Sequence, residues 1–253
     1  MSKTILITGA SSGLGAEMAR QFADRGHDLA LCARRTDRLE TLKASIAAQH
    51  PDVRVVVRAL DVTDDDQVFA VFRACRDAAA ADGRTVDRVV VNAGLGKGAP
   101  LGTGGYAANR QTAMTNFVAA LAQCEAAMQI FRAQDAGHLV MISSMSAVRG
   151  MPRSMTTYAA TKAGAAHLAE GLRTELYGTP IKVSVIYPGY IASEMNDQVP
   201  AEQPLMVSTE KGVRAIVAAI EKEKPSAAVP ALPWAPLSVV LRHAPLPVLR
   251  RMV

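Results

Sequence analysis

Tyr158 and Lys162 stand four positions apart in Tyr158-Ala159-Ala160-Thr161-Lys162, with Ser143-Ser144-Met145-Ser146 a little upstream. On a helix that spacing sets both side chains on one face, one turn apart. An ammonium beside a phenol favours the phenolate, so Lys162 is expected to lower the Tyr158 pKa from its unperturbed value of about 10. A tyrosine tuned towards neutrality can give or take a proton at pH 7. A serine hydroxyl alongside can hold the oxygen of a carbonyl or an alcohol. These parts suit moving a proton on an oxygen while another group moves a hydride. The same spacing also occurs on ordinary solvated helices, so the pattern acquires meaning from the elements that position it.

Residues 4–7 (Thr-Ile-Leu-Ile) are a β-branched apolar run and read as a buried strand. Thr8-Gly9-Ala10-Ser11-Ser12-Gly13-Leu14-Gly15 follows, then residues 16–23 with helical periodicity and Gly26 as the stop. A strand, a glycine loop and a helix N-terminus in succession make an anion site. The backbone N–H groups and the helix dipole face the ligand, and glycine lets the backbone come close. The spacing is GxxxGxG, not the GxGxxG of the usual dinucleotide fingerprint, and the bland alternative is a plain glycine turn. Residues 28–33 read as a second strand ending in Arg34-Arg35. In such a fold the position after the second strand meets the adenosine ribose, where an acid suits a free 2′-hydroxyl and an arginine a 2′-phosphate. Two arginines and no acid point to NADP(H) over NAD(H).

Helical periodicity covers 38–49, and 53–57 reads as a third strand. Asp61, in Leu60-Asp61-Val62-Thr63, lies at a strand end and could accept from an adenine amino group; Asp64, Asp65 and Asp66 sit where a helix begins and read as caps. A fourth strand, 86–91, runs into Asn92-Ala93-Gly94, and a small-residue break at a strand's C-terminal end is where an open parallel sheet takes its ligand. The glycine-rich 95–105 reads as a mobile loop and 109–132 as a long helical stretch holding Asn116. Residues 138–143 form a fifth strand that delivers the serines, 155–177 the helix of Tyr158 and Lys162, and 181–187 a sixth strand. Pro188-Gly189-Tyr190-Ile191-Ala192-Ser193 leaves that strand, and 209–223 is a further helix. Strands alternating with helices imply right-handed βαβ units. The fold class is therefore α/β: a doubly wound, Rossmann-like parallel sheet in three α/β/α layers. Nothing before Pro225 has a linker's composition, so 1–253 reads as a single domain without internal repeats.

Composition narrows the partners. Hydrophobic residues make up 49 % of the 253 positions, enough for a sizeable core. Aromatics are 4 %, which argues against a stacking platform for nucleic acid. The net charge of +5 comes from scattered arginines and suits a phosphorylated cofactor. Three widely spaced cysteines (Cys32, Cys75, Cys124) without a CxxC, and five histidines without ligand spacing, point away from disulfides and from a metal site. The N-terminus has no signal-like stretch and no apolar run reaches membrane-spanning length, so the expectation is a soluble cytoplasmic protein.

Taken together these residues resemble the short-chain dehydrogenase/reductase family in its classical form, over about residues 1–195. Four motifs stand in that family's order: TGASSGLG at 8–15, NAG at 92–94, a serine before YAATK, and PGYIAS at 188–193. Each alone is weak, and jointly they are specific. The resemblance implies a cofactor loop of Gly9, Ser11, Ser12, Gly13, Leu14 and Gly15, an adenine contact at Asp61 and Val62, and support under the nicotinamide ribose from Asn92, Ala93 and Gly94. It implies that Tyr158 is the general acid or base and that Lys162 lowers its pKa and holds the ribose hydroxyls. Asn116 would position a water in the proton relay. Pro188, Gly189, Ile191 and Ser193 would contact the carboxamide and the pyrophosphate. The family commonly places its serine thirteen residues before the tyrosine, which lands on Met145; aligning on the strand end gives Ser144, with Ser143 and Ser146 as the other candidates.

The implied activity is hydride transfer between NADP(H) and a small carbonyl/alcohol substrate through a Ser-Tyr-Lys-Asn relay, in a homodimer or homotetramer. A cofactor-binding scaffold of the same fold is an alternative, since fold does not fix function. Residues 194–208, with two prolines and no periodicity, read as a substrate lid. Residues 225–253 match the family least. This tail is proline-rich and basic, and carries the single tryptophan, Trp234. A seventh strand near 227–229 followed by packing is one reading of it. The sharper one is a surface that shapes a greasy pocket or touches a membrane, as in a peripheral enzyme acting on lipids or sterols.

Overall fold

The apolar runs become strands because both faces of each are covered. In the computed structural model, which describes residues 2–194 and 205–252, seven strands form: β1 (Thr4–Thr8), β2 (Asp28–Ala33), β3 (Val55–Ala59), β4 (Arg88–Val91), β5 (Gly137–Ile142), β6 (Ile181–Pro188) and β7 (Ser226–Val229). They form one parallel sheet in the order β3-β2-β1-β4-β5-β6-β7. Successive side chains alternate between two cores. Ile5, Leu29, Leu31, Val140 and Ile186 face one layer, together with buried residues of α1 (Gly13–Ala23), α2 (Thr36–Gln49) and α7 (Thr209–Glu221). Leu6, Ala30, Val89, Leu139 and Val185 face the other, with α3 (Asp65–Ala80), α5 (Ala119–Gln134) and α6 (Met155–Glu175). The expected three-layer, doubly wound arrangement is present, and it reverses direction between β1 and β4.

Several boundaries differ from expectation. β3 starts two residues late because the Val53 N–H closes a turn onto the His50 carbonyl at 3.0 Å. The stretch 109–132 is α4 (Tyr106–Ala113), a π-helical turn at Met114–Val118, and α5. The 95–105 loop is tied down, contrary to the mobile reading. Leu95 bonds Asn116, Ala99 bonds Asn109 through both amide groups, and the Thr112 hydroxyl reaches the Lys97 carbonyl. Beyond β7 the tail forms α8 (Ala231–His243) and α9 (Leu246–Met252) despite its prolines. In a helix Pro236 would strike the carbonyl of Leu232, but Leu232 is itself turned out of helical geometry (φ −104°, ψ 134°).

Most of the expected lid lies at 195–204, outside the described residues. Its anchors are paired: Ala192 N–H donates to the Val207 carbonyl (3.0 Å) and Val207 N–H to Tyr190 (3.1 Å). No helix among the described residues is long and apolar enough to cross a membrane.

Candidate active site

The C-terminal ends of the strands surround a cleft of about 1500 Å³ at the point where the sheet order reverses, which is where an open α/β sheet takes its ligand. Its floor is backbone packed on backbone. Gly9 has φ +65°, and a Cβ there would lie 2.8 Å from Ala93 Cα; a Cβ on Gly15 would overlap the Gly9 carbonyl. Asn92 Nδ2 donates to the carbonyl of Thr8 (2.9 Å), and Thr8 Oγ1 accepts from Asn92 N–H (3.1 Å) and Ala93 N–H (3.2 Å). The ends of β1 and β4 are thereby clamped together. Gly9, Ser11, Ser12, Gly13 and Leu14 line the cleft, as do Asn92, Ala93 and Gly94, while Gly15 packs behind it. At the N-terminus of α1, Ser12 makes no side-chain cap and the first turn holds no acid. The positive end of the helix therefore faces the cleft without a side-chain anion of its own. This fits a diphosphate.

At one end of the cleft Arg34 and Arg35 follow β2. Arg35 donates to Ser12 Oγ (Nη2, 2.7 Å) and Ser11 Oγ (Nε, 3.3 Å), and pairs with Glu194 (Nη2–Oε2, 3.1 Å). Arg38, near the start of α2, holds the other oxygen of Glu194. Its hydrogen bond, with help from Ser12 and Arg35 and against a small desolvation, keeps the Glu194 carboxyl below the usual range. Arg38 and Glu194 were not anticipated. Arg38 could have been found one helical turn beyond Arg35, but Glu194 gives no local signal. Asp61 and Val62 line the same end. Burial works against the Asp61 charge, yet bonds from Thr63 N–H (3.0 Å) and hydroxyl (2.8 Å), with the Arg34 charge nearby, hold it below its ordinary value. One Asp61 oxygen is thus already engaged in a local turn.

At the other end α6 presents Tyr158 and Lys162. Lys162 is buried and its Nζ donates to the carbonyl of Ile142 (2.9 Å), the last residue of β5. Burial pushes its pKa down to about 8. Burial also raises the Tyr158 phenol, against a weaker pull from its hydrogen bond with Ser144. This runs against the expectation of a phenol lowered by its neighbouring ammonium: desolvation sets the direction, and the Lys162 ammonium is turned onto the Ile142 carbonyl. Of the four upstream positions, Met145 is buried in the core, and Ser143 is buried with its hydroxyl donating to the Lys162 carbonyl (2.8 Å). Ser144 leaves β5 in extended geometry, meets Tyr158, and accepts from the Ser146 hydroxyl (3.0 Å) and N–H (3.2 Å).

Asn116 sits on the π-helical turn, where the Ala119 N–H reaches back to Met114. It does not line the cleft. Its Oδ1 accepts from Leu95 N–H (2.8 Å) and its Nδ2 donates to the Leu95 carbonyl (2.8 Å). A Cβ on Gly94 would lie 3.1 Å from that Oδ1 and 3.3 Å from Lys162 Nζ, so both polar groups face the same bare backbone. Pro188, Gly189, Ile191 and Ser193 form the facing wall. Beyond Tyr158 the cleft turns apolar, with Met114, Met151 and Met155 opposite Trp234, Leu237 and Leu241 of α8. The tail therefore shapes the pocket.

Comparison with known proteins agrees with this layout. The family model for short chain dehydrogenases matches residues 3–204. An uncharacterised oxidoreductase of Mycobacterium tuberculosis is 54 % identical over 233 residues, covering 92 % of this chain and 90 % of the relative. An uncharacterised oxidoreductase of Myxococcus xanthus is 35 % identical over 211 residues, covering 83 % and 81 %. Among solved structures, a short-chain dehydrogenase from Sphingobium yanoikuyae in complex with NADPH superposes with a TM-score of 0.82 at 27 % identity, covering 94 % of this chain and 93 % of that one. With that match spanning the glycine loop, the NAG turn and the Tyr158–Lys162 helix, the chain belongs to the short-chain dehydrogenase family.

Proposed function

We propose that this protein is an NADP(H)-dependent oxidoreductase acting on a carbonyl/alcohol pair. The observation that carries the reading is geometric: Tyr158, Ser144 and Lys162 share one cleft with the glycine loop and with Arg34 and Arg35. The neck of α1 and its glycine loop would hold the diphosphate, Arg34, Arg35 and Arg38 the 2′-phosphate, and Asn92 to Gly94 with Lys162 the nicotinamide ribose. Pro188, Gly189, Ile191 and Ser193 would flank the carboxamide. The bound nicotinamide supplies or accepts the hydride.

The chain's own residues do the proton work. Ser144 donates to the substrate oxygen and fixes its direction. Tyr158 gives that oxygen its proton during reduction and takes it back during oxidation. Lys162, one turn away and tuned to about 8, exchanges protons near neutrality and restores the phenol. Asn116 fixes the Leu95 backbone beside Gly94 and shapes the route by which the proton reaches solvent. The Met- and Trp-lined end favours a bulky apolar ketone over a small polar one.

The test is NADPH and NADH consumption against aldehydes, ketones, quinones and ketosteroids. Tyr158→Phe should cost about a hundredfold or more in turnover. Ser144→Ala should cost about as much, and Ser143→Ala should retain turnover. Undiminished activity in Tyr158→Phe would overturn the mechanism.

A further inference from the structure

We infer that Glu194 is an internal competitor for the 2′-phosphate of the cofactor, holding Arg35 and Arg38 until a phosphate displaces it. The inference rests on the NADP(H) reading above. Its carboxylate is held through both oxygens, by Arg35 at 3.1 Å and by Arg38, with the Ser12 hydroxyl alongside. Two guanidinium groups and a hydroxyl are the donors that a phosphate dianion takes. Here an acid of the same chain satisfies them.

The geometry makes this a bridge across the cleft. Glu194 follows Ser193 on the stretch that leaves β6, whereas its partners stand at the exit of β2 and the start of α2, 159 and 156 residues earlier. A phosphate seated between Arg35 and Arg38 would meet the Glu194 carboxylate at close range, and two anions on one site repel. The pair is also cheap to open. Glu194 is 47 % exposed and Arg35 43 %, and exposed ion pairs hold weakly. Glu194 is therefore a latch that lowers affinity by the fraction of molecules in which it is closed. NAD(H), with an uncharged 2′-hydroxyl, meets no such competition, so the acid narrows the preference between the two cofactors.

Calorimetric titration of the full chain with NADP+ and with NAD+, at one ionic strength, tests this in wild type and Glu194→Gln. The variant is expected to bind NADP+ about fivefold more tightly, the scale of an exposed ion pair, with NAD+ affinity unchanged. Unchanged or weaker NADP+ binding in Glu194→Gln would overturn the competitor, and wild-type preference for NADP+ would then leave the cofactor reading standing. Equal affinity for NADP+ and NAD+ in both proteins would remove the cofactor reading and the competitor with it. Arg38→Ala should weaken NADP+ alone; equal weakening of both cofactors would contradict the assignment of Arg38 to the phosphate.

Discussion

At Lys162 stability and chemistry pull against each other. Its ammonium is buried and meets a neutral carbonyl, Ile142, in place of a carboxylate. Burial favours the uncharged amine and lowers the pKa from 10.5 to about 8. Below pH 8 the folded protein must keep that charge buried, at a cost of about 3 kcal/mol. Between pH 8 and the unfolded value of 10.5 the unfolded chain binds the proton that the folded chain has released, so this residue's contribution to stability rises with pH there. Lys162→Met fills the same volume without the charge. After allowing for the lost hydrogen bond, it should stabilise the fold by about 1–3 kcal/mol at pH 7 and abolish turnover. Urea unfolding at pH 7 and pH 9.5 checks it: the gain should shrink at the higher pH. A destabilised variant, or a gain independent of pH, would contradict the assignment. The four-residue spacing of Tyr158 and Lys162 was legible in the sequence. The direction of the tyrosine shift was not, because spacing shows neither the desolvation around the phenol nor that Lys162 turns to the Ile142 carbonyl.

At the scale of elements, the pocket depends on how closely α8 approaches the exit of β6. A Cβ on Gly189 would overlap the indole ring of Trp234, which is buried and stacks edge-on against Tyr190 at 5.4 Å. Gly189→Ala must therefore push Trp234, and with it the apolar wall carried by Leu237 and Leu241, out of place. We expect a loss of about 1–3 kcal/mol, the scale of overpacking, a red-shifted tryptophan emission and a raised KM for bulky substrates. Gly171→Ala is the matching control. It lies on the exposed side of α6 with nothing near its Cβ, and should stabilise by up to about 1 kcal/mol. An unshifted emission in Gly189→Ala would mean that the two elements are not in tight register. Much of this scale could be read in advance. β-branched runs, the glycine loop and the serine-bearing strand are local patterns, and they gave the strands to within about two residues. What stayed hidden was non-local. The π-helical turn at Asn116 depends on its bonds to Leu95, 21 residues away, and Glu194 depends on arginines more than 150 residues earlier. α8 was obscured by Pro233 and Pro236, which read as helix breakers until the turned-out Leu232 is known.

Across the whole molecule, a polar cluster away from the cleft joins β4, β5, β6 and α7. Arg88 is fully buried, with its guanidinium 5.7 Å above the Phe22 ring. Its Nε donates to His138 Nδ1 (3.1 Å) and its Nη1 to Glu221 (2.5 Å). His138 Nε2 then donates to Ser184 Oγ (2.7 Å), so the network assigns the neutral tautomer with the proton on Nε2. Burial, then the Arg88 charge, pushes the His138 pKa from 6.5 down to about 3. The unfolded chain takes up this proton below pH 6.5 while the folded chain refuses it until about pH 3, so stability falls as the pH drops through that window. Each pH step costs about 1.4 kcal/mol once the unfolded histidine is protonated, giving about 2 kcal/mol between pH 6.5 and 5. Glu221 extends the loss to lower pH. Burial opposes its charge, but His27 and Arg88 hold its pKa at about 2, so its contribution fades between pH 4.5 and 2. The protein should therefore weaken in mild acid, before its carboxylates titrate. His138→Gln keeps an acceptor for Arg88 and a donor for Ser184 but binds no proton. The variant should start less stable at pH 7, and in urea titrations it should lose about 2 kcal/mol less than wild type between pH 6.5 and 5. Parallel losses in the two proteins would show that the acid sensitivity arises elsewhere and that the buried cluster only holds the strands in register.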